Sequence, residues 1–190
     1  KAILNDKDGL KDAPLLSHFA LFELSNYHKL IGLTDVAMNI APDLKEKVGI
    51  IGNAVTYMHK IGYEKPKVAV IGAVELVNEK MPATIDAAIL SKMAQRNQIS
   101  GCIIDGPLAF DNAMSKKSAE HKGIISNVAG DADLLVMPNI EAGNVLYKSL
   151  AFSGAKLAAV ILGALVPVVL TSRSDTEESK LNSIILAAVS

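Results

Sequence analysis

The sequence predicts an α/β fold built from parallel strand–helix–strand units, and three observations carry that expectation. From Ser17 onward, short aliphatic runs alternate with amphipathic stretches bounded by Gly, Pro and acidic residues. Half of the residues are hydrophobic, yet aromatics make up only 4% and tryptophan is absent, a composition suited to aliphatic strands and alanine-rich helices. The longest apolar stretch, around Ala155 to Leu170, is broken by Gly163 and Pro167, which argues against a membrane span.

Taken in order, Leu15 to Leu24 and Leu30 to Met38 read as strands joined through the polar Ser25 to His28 turn as a hairpin. Ala41, Pro42 and Asp43 then open a helix with apolar residues at Leu44, Val48, Ile51, Val55 and Met58, ended by Gly62. Strand and helix pairs follow: Val68–Ala73 with Thr84–Gln95, Ile99–Ile104 with Asn112–His121, and Leu134–Met137 with Asn144–Phe152. Ala158–Leu162 reads as a further strand, and Val168–Leu170 as a buried strand before a helix from Asp175 to Ala188. Ser174 and Glu177 have the spacing of a capping box for that last helix. The chain opens on Lys1-Ala-Ile-Leu without methionine, like the end of a helix running into a loop, and the expectation is that an N-terminal part is absent.

The net charge of −1, with lysines dispersed, gives no electrostatic footprint for nucleic acid. No secretory leader pattern opens the chain, and the one cysteine, Cys102, excludes a disulfide framework. Inside an apolar segment it reads as a buried structural thiol. A cytoplasmic protein without nucleic-acid or membrane partners is expected. Dinucleotide, P-loop, zincin, serine-hydrolase and CxxC signatures are all missing. The four histidines, His18, His28, His59 and His121, lie on different elements, so solvated roles are expected for most and no metal site is predicted.

In an open α/β sheet, ligands bind beyond the carboxyl ends of the strands. Four polar loops fall there in the predicted order: 78–83, 105–111, 138–144 and 171–174. Asp105 and Asp111 suit a metal or hydroxyl contact, but Asp105-Gly106 is equally a turn signal and Asp111 equally a helix cap. Gly143 permits close backbone approach, and Asn144 is either a cap or a polar ligand contact. Arg173 is one of only two arginines in the chain, beside Thr171 and Ser172 at a predicted helix N-terminus. Unpaired N–H groups, an arginine fork and a hydroxyl there suit a phosphate or carboxylate. Pairing of Arg173 with Asp175 or Glu177 on the surface is the other reading.

Motifs in sequence order resemble one family. Asp105 to Asp111 (DGPLAFD), Ser126 to Leu134 (SNVAGDADL), Glu141 to Lys148 (EAGNVLYK) and Thr171 to Asp175 (TSRSD) are similar to successive motifs of the phosphate acetyl/butyryl transferases. Asp35 to Pro42 and Asn78 to Asp86 look like the butyryl branch. The resemblance implies reversible exchange of a short acyl group, butyryl or branched, between coenzyme A and phosphate. Coenzyme A would be a substrate, with no cofactor and no metal, and the protein would be a homodimer or larger.

It further implies two α/β/α domains of the isocitrate/isopropylmalate dehydrogenase-like type, with most of the first absent. Residues 1–41 and 161–190 would be its remnant and 42–160 the second domain. Arg173 would hold phosphate, and Ser172 would donate to the carbonyl oxygen or leaving sulfur. Acetyl-branch relatives carry an acid where this chain has Ser179, so Glu178 is the candidate base. Thr171, Asp105, Gly106, Asp111 and Asn144 would bind substrate, with Lys11 where relatives place phosphate-gripping arginines. An NAD-dependent, metal-assisted dehydrogenase of the isocitrate/isopropylmalate type and an inactive CoA-binding module are the alternative functions. Only the Asp105/Asp111 pair favours the dehydrogenase.

Overall fold

The computed structural model of the protein describes residues 9–10, 12–171 and 175–189. Its elements run β1 (Ser17–Glu23), β2 (Ile31–Thr34), α1 (Leu44–Lys60), β3 (Lys67–Ile71), α2 (Pro82–Gln95), β4 (Ile103–Leu108), α3 (Phe110–Met114), α4 (Lys116–His121), β5 (Leu134–Val136), α5 (Ile140–Phe152), β6 (Lys156–Leu162) and α6 (Glu177–Ala188). The strands form one sheet in the order β4-β3-β5-β2-β1-β6. The pairs β2–β5, β5–β3 and β3–β4 are parallel, whereas β1 is antiparallel to both β2 and β6. Five strands therefore point one way and β1 runs against them.

This corrects the expected fold. The α/β class holds, but the two-domain arrangement of the isocitrate/isopropylmalate dehydrogenase type does not. One mixed sheet takes strands from both predicted segments, 1–41 and 42–160. Phe19 and Phe22 of β1 point to opposite faces and are both fully buried, so β1 needs cover on both faces as well as neighbours on both edges. Pairing from Ser17↔Leu162 to Glu23↔Lys156 on one side and with β2 on the other supplies the edges.

The two faces carry separate cores. Phe19, Val68, Val70, Leu134, Val136, Ala158 and Val160 pack with Ile51, Ala54 and Met58 of α1 and Leu90 of α2. On the opposite face Ala20, Phe22, Leu33, Ala69, Leu135 and Ala159 pack with Tyr147 of α5. The period-3.6 stripe of α1 faces its core as the sequence predicts, and a capping box between Asp43 and Glu46 closes its N-terminus. Lys47, 5% exposed, pairs with Asp86 of α2 at 2.6 Å and ties the two helices together.

Three local expectations shift. Strand β4 begins at Ile103 rather than Ile99 and continues through the predicted Asp105-Gly106 turn. At the sheet edge it tolerates Pro107, and a Cβ at Gly106 would lie 2.7 Å from the Val70 carbonyl oxygen of β3. The single helix predicted over 112–121 is two, because the extended backbone of Ser115 interrupts it and its side chain caps α4 by accepting from Ser118 N. Val168–Leu170 is not a buried strand. A lone antiparallel bridge joins Val168 to Ile161, and α6 covers the β6 edge, Ser183 Oγ accepting from Ala159 N at 2.9 Å.

Candidate active site

A groove of about 650 Å³ opens between α5, α6 and the β1–β6 side of the sheet. Along α5 it is lined by Asn144, Tyr147, Lys148, Ala151 and Phe152, the i, i+3, i+4, i+7, i+8 stripe of one helical face. Residues Asp175, Glu178, Ser179 and Asn182 do the same for the start of α6, with Thr171 beside them. His18 marks one end of the groove, and Lys156 and Leu157 the other. Since His18 pairs with Ile161, five residues past Lys156, the groove runs about 17 Å along β6.

The end at His18 lies where β2 finishes, and the loop after β2 is held tightly. Asp35, 3% exposed, accepts from His18 N at 3.1 Å, from Ala37 N at 2.8 Å, from Met38 N at 3.0 Å and from Asn39 Nδ2 at 2.6 Å. Thr34 Oγ1 donates to His18 O at 2.8 Å. Asn144 Nδ2 donates to Val36 O at 3.1 Å, joining α5 to the same loop. Tyr147 meets the rings of His18 and Phe22 edge-on, with centroids 5.8 and 5.5 Å away. Burial pushes its hydroxyl up to about 12, with the Asp175 charge adding to the effect.

Among the sequence-predicted residues, the groove brings together Asn144, Thr171 and Glu178. Asn144 is not the α5 cap, which is Asn139. Ser172, Arg173, Ser174 and Lys11 lie outside the described residues. The cap of α6 is Thr176, whose Oγ1 accepts from Ser179 N at 3.1 Å, so the predicted Ser174/Glu177 box gives way to a cap two residues later. Ser179 is 7% exposed, and its Oγ is 2.9 Å from Thr176 Oγ1.

Asp105 and Gly106 lie on β4, four strand positions from β1, or about 19 Å. Asp105 Oδ1 accepts from Gly106 N at 2.8 Å, while Asp111 is exposed in the first turn of α3. None of the three lines this groove.

Elsewhere, Cys102 is buried and its thiol is pushed up to about 11 by that burial, which keeps it protonated and inert. Asp131 gathers His28 at 2.8 Å, Lys29 at 2.9 Å and Lys67, while Lys29 also reaches Asp133 at 2.6 Å. Burial opposes ionisation of Asp131, but the hydrogen bonds from Lys67, Lys29 and His28 outweigh it and hold the carboxyl well below its usual range. That cluster pins the β1–β2 hairpin to the approach to β5. Among the described residues no three His, Cys, Asp or Glu side chains converge as a metal set, and no helix is long and apolar enough to cross a membrane.

Residues 2–188 match the family model described as phosphate acetyl/butaryl transferase. The chain belongs to that family. It is 52% identical over 190 residues to the phosphate butyryltransferase of Clostridium acetobutylicum and 50% identical to the phosphate acetyltransferase of Thermotoga maritima, in each case over 100% of this chain. It spans 63% and 65% of those relatives' own lengths. A branched-chain phosphotransacylase from Enterococcus faecalis superposes with a TM-score of 0.89 at 42% identity, covering 98% of this chain and 67% of that one. The fold is thus of the phosphotransacylase type, the finding that replaces the dehydrogenase-like expectation.

Sequence reasoning missed His18 and Tyr147 as lining of this groove, and Asp35 as the anchor of the loop beside it. Period-2 alternation puts His18 on one face of β1 with Ala20 and Phe22, a signal that was present. Nothing in the spacing showed that α5 would close over that face with the start of α6 beside it at the β6 edge.

Proposed function

We propose that the full-length protein exchanges a short acyl group between coenzyme A and inorganic phosphate, acyl-CoA plus phosphate giving acyl phosphate plus CoA, with butyryl or branched chains preferred. Family membership across residues 2–188 carries the reading. The groove agrees with it in size and lining: 650 Å³ is within the usual range for small-molecule sites, and it offers aliphatic wall, two lysines and hydroxyls together.

Phosphate must attack a thioester carbonyl while a thiolate is expelled, so two anions crowd one carbon. Arg173 is assigned to phosphate and Ser172 to the developing oxyanion or the leaving sulfur. Thr171 and Asp175, which flank them, line the groove. Asn144 is assigned to the substrate as a polar contact from α5, and Glu178, exposed in the first turn of α6, is the acid nearest in sequence to the expected base position. The reading includes a cytoplasmic location and neither nucleic-acid nor membrane partners.

Its test is thiol release from acetyl-, butyryl- and isobutyryl-CoA. Release is expected to require phosphate, to persist after metal chelation and to favour the four-carbon acyl groups. Release that ignores phosphate would turn the reading into a thioesterase.

Self-association belongs to the same proposal. Leu165, Leu181, Ile184, Ile185 and Val189 are each more than half exposed, an apolar surface that suits contact with another protein surface. Sedimentation of the full-length protein at micromolar concentration is expected to show a dimer or larger species; a clean monomer refutes it.

A further inference from the structure

Among the titratable side chains of the groove, His18 is distinguished by an unused atom. The residue is 5% exposed, and its Nδ1 is buried with no hydrogen-bond partner among the described residues. Native structures pair nearly all such atoms, and this exception belongs to a residue that lines a ligand-sized groove, which points to a partner that arrives with the ligand. The surrounding contacts hold the residue without engaging that atom. Its backbone N–H donates to Asp35, its carbonyl accepts from Thr34, and Tyr147 lies edge-on to its ring.

We propose that His18 is a catalytic proton-transfer group of this groove, its Nδ1 taking the proton of the coenzyme A thiol and later returning it. The proposal rests on the acyl-transfer reading. In the direction that makes acyl-CoA, the Nδ1 lone pair takes the S–H proton, sulfur forms the bond to the carbonyl carbon, and the carbon–oxygen bond to phosphate breaks. The departing phosphate oxygen recovers the proton from the imidazolium. In the other direction hydrogen phosphate gives its proton to Nδ1 as its oxygen attacks, the carbon–sulfur bond breaks, and the imidazolium protonates the thiolate. No atom or electron is left over, and no metal or redox partner enters.

The neighbouring groups suit a neutral imidazole at rest. Burial lowers its pKa below the ordinary 6.5, while the charges of Asp35, in the loop after β2, and Asp175, ahead of α6, pull it upward. Tyr147 faces it from α5, and Lys148, Lys156 and Glu178 are the other charged groups lining the groove. A buried N–H without an acceptor is rarer than a bare lone pair, which favours the tautomer with the proton on Nε2 and Nδ1 ready to accept. The other nearby candidates are weaker. Ser179 is engaged in the α6 cap, and Glu178 is exposed.

The experiment uses the full-length protein and three variants, His18→Asn, His18→Gln and Glu178→Gln. For both His18 variants kcat at pH 7 is expected to fall on the order of a hundredfold, with KM for acyl-CoA and phosphate within about threefold. In the acyl-CoA-forming direction the acid limb of the wild-type kcat profile, where His18 becomes protonated, is expected to disappear in them and to remain in Glu178→Gln. Turnover within about threefold of wild type, or loss of the acid limb in Glu178→Gln alone, overturns the proposal while leaving acyl transfer intact. Because a buried histidine also supports folding, the wild type supplies a second arm that needs no turnover. The His18 ring signal in NMR is expected to respond differently to coenzyme A and to its desulfo analogue, which lacks the thiol. Identical responses overturn the proposal. A wild type without phosphate-dependent thiol release sinks the acyl-transfer reading separately.

Discussion

Arg173→Lys in the full-length protein is expected to lower turnover of butyryl-CoA with phosphate by about a hundredfold while leaving its melting temperature nearly unchanged. Lysine keeps the charge but not the planar fork, and a phosphate that must be aimed at the thioester carbonyl while a thiolate departs needs two oxygens held at once. Ser172→Ala is expected to cost a comparable factor, since an oxyanion donor acts where charge develops. The contrast lies with Thr176→Ala. That hydroxyl accepts from Ser179 N at the start of α6, so its loss should cost about 1 kcal/mol of stability, with a much smaller effect on chemistry. If Arg173 only paired with surface acids, even Arg173→Ala would cost about 0 to 1 kcal/mol and leave turnover intact. Steady-state kinetics beside thermal melts separate the two cases. Near-normal turnover in both Arg173→Lys and Ser172→Ala would put the chemistry elsewhere.

The parts of the fold legible in the sequence are those whose signal is local. Helix α1 is written in the spacing of Leu44, Val48, Ile51, Val55 and Met58, and the β1–β2 hairpin in two apolar runs around a polar turn. What the sequence misplaces depends on neighbours far along the chain. Asp105-Gly106-Pro107 has the chemistry of a turn, yet β3 beside it makes the same residues an edge strand. Val168 to Leu170 has the chemistry of a buried strand, but α6 already occupies the β6 edge. The site divides in the same way. Thr171 and Glu178 are close in sequence and lie on one short stretch, and Asn144 stands in a motif of its own. His18, 126 residues before Asn144, carries no motif, and its place in the groove follows only from the β1–β6 pairing and the packing of α5 over β1.

That dependence of the site on the α5 contact makes Gly143 the position where packing and function meet. A Cβ there would lie 2.6 Å from the Asp35 carbonyl oxygen, 3.1 Å from Val36 Cα and 3.2 Å from Val36 Cγ1. Two of these are backbone atoms in a loop fixed by four hydrogen bonds to the Asp35 carboxylate, so the strain falls on α5. Alanine is the better helix former by about 1 kcal/mol, but overpacking against backbone costs about 1–3 kcal/mol, and the second effect is expected to win. Gly143→Ala should therefore lose up to about 2 kcal/mol of stability. Gly52 in α1 gives the opposite sign: nothing lies within 4 Å of its Cβ position, so Gly52→Ala should gain about 0.5–1 kcal/mol. Moving α5 away from the loop also moves Asn144 and Tyr147 relative to His18, and a displacement approaching 1 Å can cost up to a hundredfold in rate. Gly143→Ala is expected to lower turnover by at least about tenfold, beyond what its lost stability explains, while Gly52→Ala keeps the parent rate. Melts and kinetics on the two variants test this, and a Gly143→Ala protein as stable and as active as Gly52→Ala would mean that α5 does not set the geometry of the groove.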